Sequence, residues 1–292
     1  MPEQHVIDAV IDAFSFAAPD ATLDQVRDGY DVSMEKAGLA AGVTRTEGIV
    51  GDVPGAWFRP TGAGRRAVLY LHGGGFQFGS SRSHGPLAAA LADAAAVDVF
   101  VLDYRRAPEH PFPAALDDAT AALRALIAER GADNVVVAGD SAGGGMVLAT
   151  LLAARESGIA TPLGAVAFSP WVDLTQGAAS IIDRAARDPL VTKEQLDANA
   201  AAYLGDGDRT NPLASPLYGD LTGLPPLLVQ VGTEEILFDD TARLAEKIRA
   251  AGGRVEVQVE DGMPHVHQIL LGRLSEALPS LERAGTFIRT LD

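Results

Sequence analysis

Cysteine is absent from the 292 residues. That excludes a disulfide framework, a thiol nucleophile and any thiolate metal site. Basic charge is scarce: 23 Lys and Arg against 39 Asp and Glu leave a net charge of −16. Such a chain is a poor partner for nucleic acid or an anionic membrane surface, and its acidity serves solubility. Met1-Pro2-Glu3-Gln4-His5 has neither the basic n-region nor the apolar h-region of a secretory leader, so a cytoplasmic location is expected. Membrane insertion is not expected either. The apolar stretches around residues 85–102 and 134–154 are broken by Asp and by turn chemistry, and read as buried helix and strand. Internal repeats and low-complexity tracts are missing as well.

What is present is ordinary for a soluble globular enzyme: 47% hydrophobic and 21% charged residues, enough chain for one large α/β domain or two modest ones. Residues 3–16 set Val6, Ile7, Val10, Ile11 and Phe14 at helical spacing, and Ala21 to Leu39 reads as a second helix. Both precede the first strand and could pack as a cover. Thr44 to Arg59 reads as a pair of antiparallel strands, and Thr61-Gly62-Ala63-Gly64 as a turn. Strands are then predicted at Ala67–Leu71, Val97–Asp103, Asn134–Ala138, Leu163–Phe168, Leu227–Val231 and Arg254–Glu260. Helices are predicted at Gly85–Ala95, Pro113–Arg130, Ala142–Glu156, Thr241–Ala251 and Leu274–Leu291. Short apolar strands alternating with helices imply a mostly parallel sheet covered on both faces. Ligands of such sheets bind beyond the carboxyl ends of the strands. Ser169 to Pro226 breaks the rhythm. A structureless loop of that length is improbable in a compact domain, so it reads as an insertion over the sheet, with a helix near Thr192–Leu204.

The apolar run Val135-Val136-Val137-Ala138 leads into Gly139-Asp140-Ser141-Ala142-Gly143, and a helix-prone stretch follows. Strand, tight Gly-x-Ser-x-Gly turn and helix is the pattern that presents a serine hydroxyl at a strand tip. Gly144 and Gly145 extend the glycine run, but no Lys-Ser/Thr follows and the spacing is not that of a dinucleotide fingerprint. Directly after the strand Ala67–Leu71 comes His72-Gly73-Gly74-Gly75-Phe76. Consecutive glycines leave backbone N–H groups free to point at an oxygen, and preset donors of this kind are worth roughly 3 kcal/mol each at a developing oxyanion. The amides of Gly73, Gly74 and Ala142 are the expected donors, with His72 fixing the loop.

A serine of this kind needs a base and an acid, in chain order Ser, Asp or Glu, His. Only His265 and His267 follow Ser141, in a loop after the strand Arg254–Glu260. Their spacing could suggest a metal, but no other ligand cluster accompanies them, and no metal or cofactor is expected. The position right after Gly262-Met263-Pro264 favours His265, leaving His267 to line the pocket. The acid belongs on the loop after Leu227–Val231, which carries Glu234, Glu235, Asp239 and Asp240. Asp239 and Asp240 stand where a helix starts and are explained by capping and dipole pairing. Periodicity does not separate Glu234 from Glu235.

Together these segments resemble the bacterial hormone-sensitive-lipase-like carboxylesterases of the α/β-hydrolase fold. His72–Phe76 resembles their oxyanion loop, and Gly139–Gly144 their elbow. Asp103-Tyr104-Arg105-Arg106-Ala107-Pro108-Glu109-His110 is similar to a structural block in which Arg106 stands where Leu is usual. Ser169-Pro170-Trp171-Val172-Asp173-Leu174 looks like the segment that opens their cap. The resemblance implies Glu235 as the acid, where most members carry Asp. It implies cap helices at residues 1–42, and a catalytic domain at 43–292 with a cap insertion at about 172–218. It also implies hydrolysis of short- to medium-chain carboxylic esters through an acyl-enzyme, with Phe76, Phe78, Trp171 and Tyr203 as candidate pocket liners. Two alternatives share the scaffold: a lactone hydrolase, and a ligand-binding receptor like the plant gibberellin receptors, which lack the histidine present here. Arg254–Glu260, a last strand, could pair between two subunits.

Overall fold

The computed structural model describes residues 2–16, 18 and 20–292. Eight strands form one sheet: β1 Val43–Val50, β2 Val53–Pro60, β3 Ala67–Leu71, β4 Asp98–Leu102, β5 Val135–Asp140, β6 Gly164–Phe168, β7 Leu227–Gly232 and β8 Val255–Glu260. Their spatial order is β1-β2-β4-β3-β5-β6-β7-β8. β2 runs antiparallel to both β1 and β4, and all other neighbours are parallel. The central strands explain why helices cover both faces. Leu69, Leu71, Val135 and Val137 join one apolar cluster, whereas Val68, Tyr70, Val136 and Ala138 join the other. Alternate side chains leave opposite faces of a strand, so two continuous apolar faces both need a layer above them.

The layers are helical. α4 (Ala114–Arg130), α5 (Ser141–Glu156) and α8 (Phe238–Ala250) bury Leu123, Leu148 and Leu244 on the first face. α3 (Gly85–Ala95) and α9 (Ala277–Thr290) bury Leu91 and Leu281 on the second. The N-terminal pair, α1 (Gln4–Phe14) and α2 (Leu23–Glu35), adds Val6, Val10, Tyr30 and Met34 to that second cluster. α2 is started by a capping box in which Thr22 and Gln25 satisfy each other's backbone N–H groups. Charged contacts at the rim hold the pair down. Arg273 donates to Asp12 at 2.7 Å, Arg82 to Glu35 at 2.7 Å, and Arg27 makes two bonds of 2.7 Å to Glu109.

Between β6 and β7 the chain forms the short α6 (Ser180–Asp183), α7 (Lys193–Leu204) and a 3₁₀ turn at Pro216–Tyr218. α7 also opens with a capping box, Thr192 with Gln195. Two expectations about helix starts need correction. α8 begins at Phe238 rather than Thr241, and its N-cap Leu237 makes no side-chain cap. Asp239 and Asp240 therefore lie in its first turn, as the dipole expectation has them, but do not cap it. They reach back to the insertion and accept the N–H of Ser180 at 2.9 Å and of Val172 at 3.1 Å. α9 begins at Ala277 rather than Leu274, because residues 271–276 form turns first. No helix among the described residues is long and apolar enough to cross a membrane.

Candidate active site

β5 ends at Asp140 and α5 starts at Ser141, so the chain reverses with no connecting residue. Two glycines make the reversal sterically feasible. A Cβ on Gly143 would lie 2.0 Å from the Leu71 carbonyl oxygen, and one on Gly139 would lie 2.5 Å from the same atom. Ser141 takes φ +52°, a left-handed conformation that costs a non-glycine residue roughly 1–3 kcal/mol. The turn leaves its hydroxyl facing a cavity.

His265 arrives there from the loop after β8. Its Nε2 lies 2.9 Å from Ser141 Oγ, and its Nδ1 lies 2.8 Å from Glu235 Oε2. A carboxylate partner at Nδ1 requires the proton on that nitrogen, which leaves Nε2 as acceptor for the serine hydroxyl. Glu235 is fully buried, and its other oxygen accepts from Ser169 Oγ at 2.8 Å and Gly232 N at 2.7 Å. Ser169 Oγ in turn accepts the N–H of Val266, next to His265, at 3.1 Å. Burial works against a charged imidazole, but the hydrogen bond and charge of Glu235, with Asp188 and Asp140, raise the His265 pKa above its ordinary value. The two glutamates left open by the sequence separate here: Glu234 pairs with Arg187 (2.9 Å to Oε2), and Glu235 reaches the histidine.

The glycine loop needs one correction. Gly73 N–H donates to Asp140 Oδ1 at 3.0 Å, so it is occupied and cannot serve an oxyanion. Gly74 and Gly75 line the cavity beside Ser141 instead. Gly75 was legible only as the third of three glycines. Ala142, the second residue of α5, keeps an N–H without a helical acceptor. His72 fixes the loop as expected. Its Nδ1 bonds the Gly73 carbonyl at 2.8 Å and its ring stacks on Tyr104 at 4.1 Å. Burial, aided by nearby His84, lowers its pKa to about 3.

The cavity holds about 610 Å³. Of the expected liners, Phe78 and Trp171 face it. Phe76 and Tyr203 do not. Their rings stack 3.7 Å apart, 6° from parallel, inside the core, where each aromatic face finds another. His267 is also absent from the wall. It is buried, its Nε2 lies 2.7 Å from Ser280 Oγ, and burial beside Arg283 lowers its pKa to about 3. The histidine pair therefore diverges and shares no ligand. The wall residues not foreseen come from both ends of the chain: Val10, Phe14, Val26 and Tyr30 from α1 and α2, Leu190, Val191 and Leu196 from the insertion, and Ile269. Their signals were the apolar stripe of α1 and the cap segments that the resemblance implies.

Residues 68–269 match a family model described as having the α/β hydrolase fold. An acetyl-hydrolase of Streptomyces hygroscopicus is 46% identical over 243 residues, 82% of this chain and 81% of its own length. An esterase of Acinetobacter venetianus is 34% identical over 242 residues, 82% and 80% of the two chains. A solved esterase from the bacterial hormone-sensitive lipase family superposes with a TM-score of 0.95 at 41% identity, covering 100% of this chain and 99% of that one. The mostly parallel sheet, the serine turn after β5 and these likenesses agree: the chain belongs to the bacterial hormone-sensitive-lipase family of α/β hydrolases.

Proposed function

We propose that the protein is a serine carboxylesterase with Ser141 as nucleophile, His265 as base and Glu235 as acid. The observation that carries this reading is the continuous hydrogen-bonded chain from Ser141 Oγ through both His265 nitrogens to a buried carboxylate. His265 takes the serine proton as Oγ attacks the ester carbonyl, and Glu235 holds the ring and offsets its new charge. The N–H groups of Gly74, Gly75 and Ala142 receive the oxyanion. His265 then gives its proton to the departing alcohol oxygen. Water then attacks the acyl carbon as it loses a proton to the same imidazole. The imidazolium passes that proton to Ser141 Oγ as the acyl C–O bond breaks, releasing the carboxylic acid and restoring the neutral base.

The apolar cavity suits an acyl or alcohol chain of short to medium length, with α1, α2 and the 172–218 region acting as the cap. Nitrophenyl esters from acetate to dodecanoate test it. Rates falling steeply with chain length support the reading, and a flat or rising profile sinks it. Labelling by a fluorophosphonate, lost in Ser141→Ala, separates an enzyme from a binding protein. A lactone series belongs in the same panel, because ester and lactone carbonyls undergo the same chemistry. The protein is further inferred to work in the cytoplasm, without nucleic-acid partners. Two copies are inferred to pair along β8, an edge strand with Val259 51% exposed. Sedimentation of wild type and Val259→Lys tests the pairing.

A further inference from the structure

Asp188 lies in the insertion and performs no step of the mechanism above, yet both of its carboxylate oxygens are engaged. Oδ1 accepts the N–H groups of Leu190 and Val191 at 2.8 and 2.9 Å. Both residues line the cavity with Ser141 and His265. Oδ2 accepts the N–H of Ile236 at 2.9 Å, and Ile236 directly follows Glu235. All three donors lie in loops, where no helix or strand ladder fixes the backbone. One side chain thus ties the cavity wall to the segment that carries the acid.

Other contacts cross the same seam but differ in kind. Ser180 Oγ donates to the Ile236 carbonyl at 2.6 Å, Arg187 pairs with Glu234, and Arg184 donates to the Thr233 carbonyl. None of them adds negative charge beside the imidazole. The charged groups acting on His265 are Glu235 from the loop after β7, Asp188 from the insertion and Asp140 from the serine turn. Asp188 feels His265 in return: burial pushes its carboxyl pKa up, and the histidine pulls against that.

We propose, on the strength of the serine-esterase reading above, that Asp188 is a positioning residue of the active site. It clamps the Glu235 loop to the cavity wall and holds a second carboxylate against the backbone of the residue next to Glu235. As the serine proton moves onto His265, the imidazolium gains this second favourable interaction alongside its contact with Glu235. Substrate pressing on Leu190 and Val191 is then felt, through one carboxylate, at the residue next to the acid.

The test uses two variants and the pH dependence of nitrophenyl butanoate hydrolysis. Asp188→Asn keeps an oxygen for the Leu190 and Val191 amides but removes the charge and turns an NH2 toward the Ile236 N–H, so the pH limb and not kcat alone reads the charge. Its kcat is expected to fall roughly tenfold. The rising limb of kcat/KM should move to lower pH by on the order of half a unit, because an imidazolium with less negative charge nearby loses its proton more readily. Ile236→Pro deletes the N–H that Oδ2 accepts and leaves the charge, so kcat falls while the limb stays in place. An Asn variant whose limb coincides with that of wild type overturns the electrostatic role, and an Ile236→Pro variant with undiminished kcat overturns the clamp. If Asp188→Asn does not fold, as judged by circular dichroism, the proline variant decides the clamp and the limb of Asp188→Ser, which also lacks the charge, decides the electrostatic role. Wild-type protein that cleaves no ester and takes up no fluorophosphonate defeats the esterase reading instead, so the two failures are distinguishable.

Discussion

Asp140, at the serine turn, also holds the glycine loop of the candidate site. Its Oδ1 accepts from Tyr70 OH at 2.9 Å and from Gly73 N at 3.0 Å, and His84 Nε2 lies 3.3 Å away. Burial opposes its ionisation, but His84 and the hydrogen bonds outweigh that and lower its pKa. An anion there fixes the glycine loop against the serine turn. Asp140→Ala is expected to lower kcat about a hundredfold with a smaller change in KM, since small displacements of donor groups are costly, as steady-state kinetics would show. Ser141→Ala should cost on the order of a millionfold in kcat. The pH profile follows from His265. In the proposed mechanism the neutral ring is the base, and its pKa is raised, so kcat/KM should climb through a limb lying above the ordinary imidazole value. Glu235→Gln should move that limb to lower pH and depress kcat. The histidine and the serine turn were readable from chain order and spacing. Which glycine amides face the cavity was not, because it depends on the Asp140 carboxylate claiming the first of them.

Among the elements, α1 and α2 pack an apolar face over the cavity, and arginines fasten their rims to the body. Arg27 is the most connected of these. It bonds Glu109 through two nitrogens at 2.7 Å, the Gln77 carbonyl at 2.8 Å and the Ala107 carbonyl at 3.1 Å. Gln77 sits just beyond the glycine loop, so α2 is tied to the same chain segment that carries the proposed oxyanion donors. Arg27→Ala is expected to cost about 1–2 kcal/mol of stability, read by chemical denaturation. It should also raise KM more for hexanoate than for acetate esters, because only the longer chain needs the α1–α2 wall. The strands were legible to within a residue or two, since five-residue apolar runs between turns leave little choice. The start of α8 was not. Asp239 and Asp240 look like capping residues, but the insertion offers them the N–H groups of Ser180 and Val172, contacts between residues far apart in sequence.

For the whole molecule, stability should depend on pH through a buried acidic cluster away from Ser141. Asp240 is 1% exposed, and burial, reinforced by the charge of Asp173, raises its pKa to about 8. A carboxyl raised in the folded state contributes stability that is fully present below its unfolded pKa and is lost as pH rises toward the folded value. Thermal stability should therefore decline between about pH 4 and about pH 8. Asp240→Asn should flatten that decline and raise Tm at the alkaline end by about 2–4 °C, measured by calorimetry. The mostly parallel sheet and its two helical layers follow from short apolar strands alternating with helices, and so were readable; the strand order was not. The cavity was not, because its wall joins the first helices to residues near the other end of the chain. Asp12 and Arg273 are 261 residues apart in sequence. At a ribosomal pace of roughly 5–20 residues per second, the first helices wait about 15–50 s for that partner to be made. Val10 and Phe14 spend the interval without Ile269 across the cavity from them, so the nascent chain offers chaperones an early handle on α1.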